Sequence, residues 1–284
     1  MSLIAPKTLW RSLSALLITI SVSFAIKAEA DLNLGSAHLR MGNPSQAALE
    51  VGNPSNYLLI KPQYVVSYNR DHGIPNWVSW QLNQNWLGTA KRQGDFRPDA
   101  TLPSDWYRVR PSDYIGSGFD RGHVVSSEDR GRTIQDNSAT FLMTNMLPQA
   151  PDSNRAVWAN FEEYCRSLVR QGKELYIVSG GSGVGGMGEK GAVETTLKSK
   201  VTVPALTWKV VLVLDRVGIE PKDVTERVSR TIAISVPNRQ GVKSKPWRAY
   251  RTSVDEIEKL TGYDFFGNVP QLVQGTIEAK VNDQ

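Results

Sequence analysis

Residues 118–125 read GFDRGHVV, and residues 151–171 read PDSNRAVWANFEEYCRSLVRQ. The first reads as a strand that sets His123 directly behind an acid, an arginine and a glycine. The second takes up helical periodicity from Asp152 or Ser153, either of which can serve as N-cap, and stops before Gly172. Val157, Phe161, Tyr164 and Leu168 recur at i, i+4, i+7 and i+11, which is the spacing of a buried stripe. Cys165 lies beside that stripe and reads as a small packed residue. His123 has two readings at this point: a structural ring satisfied by a neighbour, or a base facing a substrate.

Outward from this pair of segments, YVVSYNRDHGIPNWVSWQL (64–82) alternates apolar and polar residues around a Gly/Pro/Asn cluster. That pattern predicts a β-hairpin with His72 in its turn. ELYIVSGG (174–181), TWKVVLVLD (207–215) and TIAISVPN (231–238) read as buried strands. Ser253 and Glu256 make a capping box for a short helix that ends at Gly262. Strands and helices mix without a βαβ period, so the expectation is an α+β fold with a largely antiparallel central sheet flanked by helices. Residues 31–56, with two copies of GNPS, read as turns, and His38 among them as solvent-exposed. The stretch 126–154 reads as a long irregular crossing with one apolar knot, FLMTNML (141–147), and 90–106 as a polar excursion over the surface.

At the N-terminus, Lys7 and Arg11 precede the apolar run LSALLITISVSFAI and then Ala28-Glu29-Ala30. This is the pattern of a secretory leader over residues 1–30, too short to span a bilayer. Cleavage leaves residues 31–284 as one domain, without a composition shift to mark a linker, secreted or held in a periplasm. The formal charge of +5 falls to +3 once Lys7, Arg11, Lys27 and Glu29 are removed. A mildly basic balance permits a polyanionic partner without requiring one. Cys165 is the single cysteine, so an internal disulfide is ruled out.

Several chemistries drop out. GGSGVGGMGEKG (180–191) has Gly-Glu-Lys-Gly where a phosphate-binding P-loop needs Gly-Lys followed by Ser or Thr, and it reads as a flexible loop. HExxH, paired CxxC and GxSxG are all missing from the sequence. What remains is His123 with a set of oxygen and arginine side chains. Asn154 and Glu162 are separated by roughly 12 Å of rise and about 80° of rotation on an ideal helix. They cannot both touch one small ion, but they could share a hydrated Mg²⁺, which keeps several of its waters.

The runs DRGHVVSSEDR and DNSATFLMTNMLPQAPDSNRAVWANFEEYCR resemble the DNA/RNA non-specific endonuclease family, whose members carry a ββα-metal, or His-Me finger, active site. HLRMGNPS, NWVSWQLN, KRQGDFRPD and SVDEIEKLTGYDF extend the resemblance over nearly all of the mature chain. It implies a secreted, sugar-non-specific endonuclease acting on DNA and RNA, single- or double-stranded, and leaving 5′-phosphate ends. By position, the resemblance makes His123 the general base and Asn154 the metal ligand, with Mg²⁺ as the ion and Mn²⁺ as the alternative. Glu162 matches the acid that holds a metal-bound water. Arg92, Arg121 and Arg166 match arginines expected at the phosphate, whose oxygens suit their fork.

His123 is expected near its ordinary pKa, with Asp120 or a backbone carbonyl fixing its tautomer. Two other readings stand beside this one: a non-catalytic extracellular nucleic-acid-binding protein, and a phosphodiesterase for small molecules. A protein inhibitor in the producing cell is a further hypothesis, since unexported enzyme would attack the host genome.

Overall fold

Strands β1 (Tyr57–Ile60), β2 (Val65–Asn69) and β3 (Ile74–Leu82) form a meander whose second turn holds His72, as the alternation around that turn predicts. The structure is a computed structural model that describes residues 35–281. The leader expected at residues 1–30 lies outside the described residues. After the meander come β4 (Asp120–His123), β5 (Met146–Gln149), β6 (Glu174–Ser182), β7 (Gly186–Gly188), β8 (Gly191–Val193), β9 (Thr196–Leu197), β10 (Val201–Thr202), β11 (Leu206–Leu214), β12 (Ser229–Pro237) and β13 (Arg251–Thr252). Seven of them make one sheet in the order β1-β2-β3-β6-β11-β12-β13. Every pairing in it is antiparallel, as expected for an α+β fold.

Period-two alternation divides the core between the two faces of this sheet. Val211 and Val213 of β11, with Leu175 and Ile177 of β6 and Trp80 of β3, pack on one face against Val157, Trp158, Phe161, Cys165 and Leu168 of the long helix. On the opposite face, Trp208, Val210 and Leu212 meet Leu39, Met41, Phe265 and Ile277. The long helix (Ala159–Arg170) runs on from a π-helical turn (Ser153–Trp158) and lies on the first of these faces. Two shorter helices, Val254–Thr261 and Gln271–Ile277, serve the other face. Ser253 caps the first of them by accepting from Glu256 N, and Gly262 ends it at φ 74°.

Four expectations change. The crossing 126–154 contains β5, which pairs with β4 as a two-stranded ribbon beside the long helix, so strand, strand and helix form a ββα unit. Proline in its middle hides β5 from pattern reading, and such a strand is tolerated only at a sheet edge. The glycine-rich run at 180–191 ends β6 and leads into a hairpin, β7/β8, fastened by Glu189 N donating to Gly118 O at 2.9 Å. Gly188 is there for close approach: a Cβ on it would sit 2.5 Å from the Gly118 carbonyl oxygen. His38 is buried, with Nε2–H donating to Pro62 O at 2.9 Å and Nδ1 accepting from Gln81 N at 3.2 Å. Asp152 does not cap the long helix: helical geometry already begins at Pro151, a residue suited to a first turn, and the Asp152 carboxylate accepts from Gly241 N instead.

Candidate active site

The ribbon β4/β5 presents Arg121 and His123 on one side, two residues apart. Phe96 meets both, lying 4.3 Å under the Arg121 guanidinium and 5.4 Å from the His123 ring. Phe141 closes on His123 edge to face at 4.7 Å and also underlies Arg92, at 4.9 Å. The imidazole is therefore held by aromatic edges. Nε2 is buried and has no hydrogen-bond partner. Burial first, then the positive charges of Arg92 and Arg121, push the ring pKa down to about 3. It is neutral over the physiological range, well below the ordinary value that the sequence suggests.

The glycine of DRGH has a packing role. A Cβ on Gly122 would lie 2.0 Å from Gln149 Oε1, and Gln149 is itself buried on β5. Past His123 the chain is stapled by Asn145, which accepts from Val125 N at 3.0 Å and donates to Val125 O at 3.0 Å and to Thr140 O at 2.9 Å. The ring thus stands at the end of a strand whose exit is fixed in place.

Asp120, at the start of β4, does not touch His123. Its carboxylate accepts from Asn154 Nδ2 at 2.8 Å and from Arg155, whose Nε and Nη2 approach at 2.9 and 2.6 Å. Of the two candidates for fixing the histidine tautomer, the acid is thereby committed elsewhere. Holding the amide nitrogen of Asn154 leaves its Oδ1 as the free, hard oxygen suited to a divalent cation.

The π-helical turn reshapes the helix arithmetic. Bonds from i to i+5 put in the equivalent of one extra residue, so Asn154 and Glu162 fall about 20° apart around the axis instead of about 80°. A donor set of one amide oxygen and one carboxylate further along the same helix face fits a hydrated hard cation. Glu162 is mostly buried, and burial raises its pKa against the pull of Lys209, whose Nζ lies 3.4 Å away. Lys209 is itself only 1% exposed and sits over the rings of Trp80 and Trp158, at 5.1 and 4.6 Å.

The three predicted arginines separate. Arg92 donates to Ser127 Oγ at 2.6 Å and, with Arg121, acts on His123. Arg166 does not join them: its side chain is 5% exposed and is shared among Glu128, Asp129 and Glu163 at 2.6, 3.0 and 3.1 Å. In this arrangement it ties the long helix to the Ser127–Arg130 turn, and three carboxylates occupy the fork expected at a phosphate. Asp129 also accepts from Trp80 Nε1 at 3.1 Å, so the network continues into the sheet.

Sequence reasoning passed over Asp120 as the holder of Asn154, Phe96 and Phe141 as the clamp on His123, and Lys209 as the partner of Glu162. Lys209 carried a signal: it is the one charged residue between Thr207 and Leu214 in an otherwise apolar strand.

The profile of the DNA/RNA non-specific endonuclease family matches residues 44–272. A nuclease from Nostoc sp. is 54% identical over 248 residues, covering 87% of each chain. Nuclease C1 of Cunninghamella echinulata is 30% identical over 243 residues, 82% of this chain and 92% of that one. A chain in the crystal structure of the EndoG/EndoGI complex superposes with a TM-score of 0.69, at 22% identity and over 86% of this chain and 96% of that one. At that identity it supports the fold.

Proposed function

Because the chain belongs to the DNA/RNA non-specific endonuclease family and is a nuclease, we propose that it is an exported, Mg²⁺-dependent enzyme that hydrolyses DNA and RNA alike, with His123 as general base. The observation that carries this reading is the state of the ring. It is neutral and flanked by two arginines, so a water held at the phosphate that Arg92 and Arg121 attract can pass it a proton. Asn154, aimed by Asp120, is the residue that would hold the ion, and Glu162 lies further along the same helix face to accept from water. When bound, Mg²⁺ supplies positive charge at the phosphate and the departing 3′-oxygen. Mn²⁺ would serve in its place. Phosphate contacts carry little sequence information, which suits an enzyme indifferent to base.

Water is the nucleophile in this account. A route through the 2′-OH needs a base and an acid at one phosphate. His38 is consumed by hydrogen bonds and His72 is exposed in a turn, so neither supplies the second group. DNA and RNA, single- or double-stranded, should therefore both be cut, to 5′-phosphate and 3′-hydroxyl ends. Residues 1–30 act as the leader and the rest as a single nuclease domain, released to the periplasm or the medium.

The test is mass spectrometry of a short DNA oligomer and its RNA counterpart after incubation with the mature protein and Mg²⁺, with and without chelator. Chelator-sensitive cleavage of both to 5′-phosphates is expected. A 2′,3′-cyclic phosphate, or DNA left intact, would overturn the mechanism, and intact oligomers beside a hydrolysed chromogenic diester would favour a small-molecule phosphodiesterase.

A further inference from the structure

On the sheet face opposite the ββα unit, the end of the C-terminal helix Gln271–Ile277 meets the first turn of the helix Val254–Thr261. The carbonyl of Glu278 accepts from Val254 N at 2.9 Å, and Thr231 Oγ1 donates to Ile277 O. Here Asp255, Glu258 and Glu278 each offer a carboxylate oxygen, and these oxygens lie within 4.8 Å of one another. Glu278 is 4% exposed, and its Oε1 is fully buried without a hydrogen-bond partner. A buried, unpartnered carboxylate oxygen is costly unless something cationic or a proton meets it. Among the described residues, no lysine or arginine forms an ion pair with any of the three acids. Burial first, and then the negative charges of Glu258, Asp255 and Asp264, raise the Glu278 pKa to about 8.

We propose that Asp255, Glu258 and Glu278 form a binding site for a divalent cation of calcium's size, which staples the C-terminal segment to the helix Val254–Thr261. An all-carboxylate donor set suits a hard cation, and Ca²⁺ accepts such groups in flexible geometry, whereas Mg²⁺ demands near-ideal octahedral geometry and gives up its waters reluctantly. Glu258 keeps one oxygen for the site, because Oε1 already accepts from Phe265 N at 2.8 Å. That bond holds Glu258 in place, while Asp255, exposed at the rim, can turn toward an arriving ion. The alternative occupant is a proton shared by Glu278 and a neighbouring carboxylate.

Thermal melting of the chelator-stripped Asn154→Ala protein with added CaCl₂ separates the two and removes the ion ligand proposed at the nuclease centre. A melting temperature about 5 °C higher at millimolar Ca²⁺ is expected. Asp255→Asn or Glu278→Gln in the same background should abolish most of the rise. Asp255 is exposed, so its variant tests the site even where Glu278→Gln folds poorly. No Ca²⁺-dependent rise, or a rise that Asp255→Asn leaves intact, would overturn the proposal, and neither result bears on the role of His123.

Discussion

His38 and His123 are both buried, at 3% and 9% exposure, and burial drives both rings to low pKa values, about 4 and about 3. Their nitrogens tell them apart. His38 spends both, donating to Pro62 O and accepting from Gln81 N, and so joins the N-terminal segment to β3. His123 leaves Nε2 unpartnered and is held by Phe96 and Phe141, with two arginines beside it. Burial and a shifted pKa therefore do not identify a working histidine. Under the proposed function, what sets the working ring apart from the structural one is unused hydrogen-bonding capacity maintained by packing.

The sharpest way to break this contrast is to remove each ring. His123→Ala should lower kcat/KM by about 10²- to 10⁴-fold, the usual contribution of a general base, with a smaller loss of stability than His38→Ala because no hydrogen-bonded partner of Nε2 is left behind. A collapse of stability with activity merely reduced would make His123 a second His38.

Asp120→Ala sharpens the same contrast from the metal side, since it frees the amide of Asn154 to turn. Activity should fall by roughly 10- to 100-fold, partly recovered at high Mg²⁺, as for loss of a group that orients a metal ligand. An unaltered Mg²⁺ dependence would detach Asp120 from the ion.

His38→Ala should show the opposite profile to His123→Ala. It leaves buried partners unsatisfied and a cavity behind, a loss of about 2–4 kcal/mol in urea unfolding, while the folded fraction keeps its turnover. Loss of turnover at full stability would place His38 in the chemistry.

The last contrast is in pH dependence. An unfolded histidine binds its proton near 6.5, whereas these rings stay neutral in the folded state down to about 4 and 3. The unfolded state thus binds more protons as the pH falls below about 6.5, and stability drops by up to about 1.4 kcal/mol per pH unit for each ring until its folded pKa is passed. Urea titrations from pH 7 to 4 should show that slope, and His38→Asn should reduce it. In the free enzyme, the acid limb of kcat/KM should lie below pH 5. A limb centred near 6.5 would mean that His123 titrates as an ordinary exposed ring.

The antiparallel sheet, its buried strands and the long helix were legible because period-two and period-3.6 patterns sit on continuous sequence. β5 was not, because Pro148 and a polar end break its alternation, and only pairing with β4 makes it a strand. The DRGH and PDSNR runs pointed to His123 and Asn154. The clamp of Phe96 and Phe141, the commitment of Asp120 to Asn154, and Arg166 turned onto three acids all depend on contacts between distant segments, and no local pattern carries them. The π-helical turn is equally silent in the sequence, yet it changes which residues share the helix face.

The most direct test of His123 as the base is chemical rescue. In His123→Gly, imidazole added to the assay can occupy the space between Phe96 and Phe141 and take the proton in place of the missing ring. The account predicts that DNA cleavage by the folded variant rises with imidazole concentration, and that the rescued rate follows the neutral fraction of the added base as pH is varied. A folded His123→Gly protein whose rate is indifferent to imidazole at every pH would contradict it.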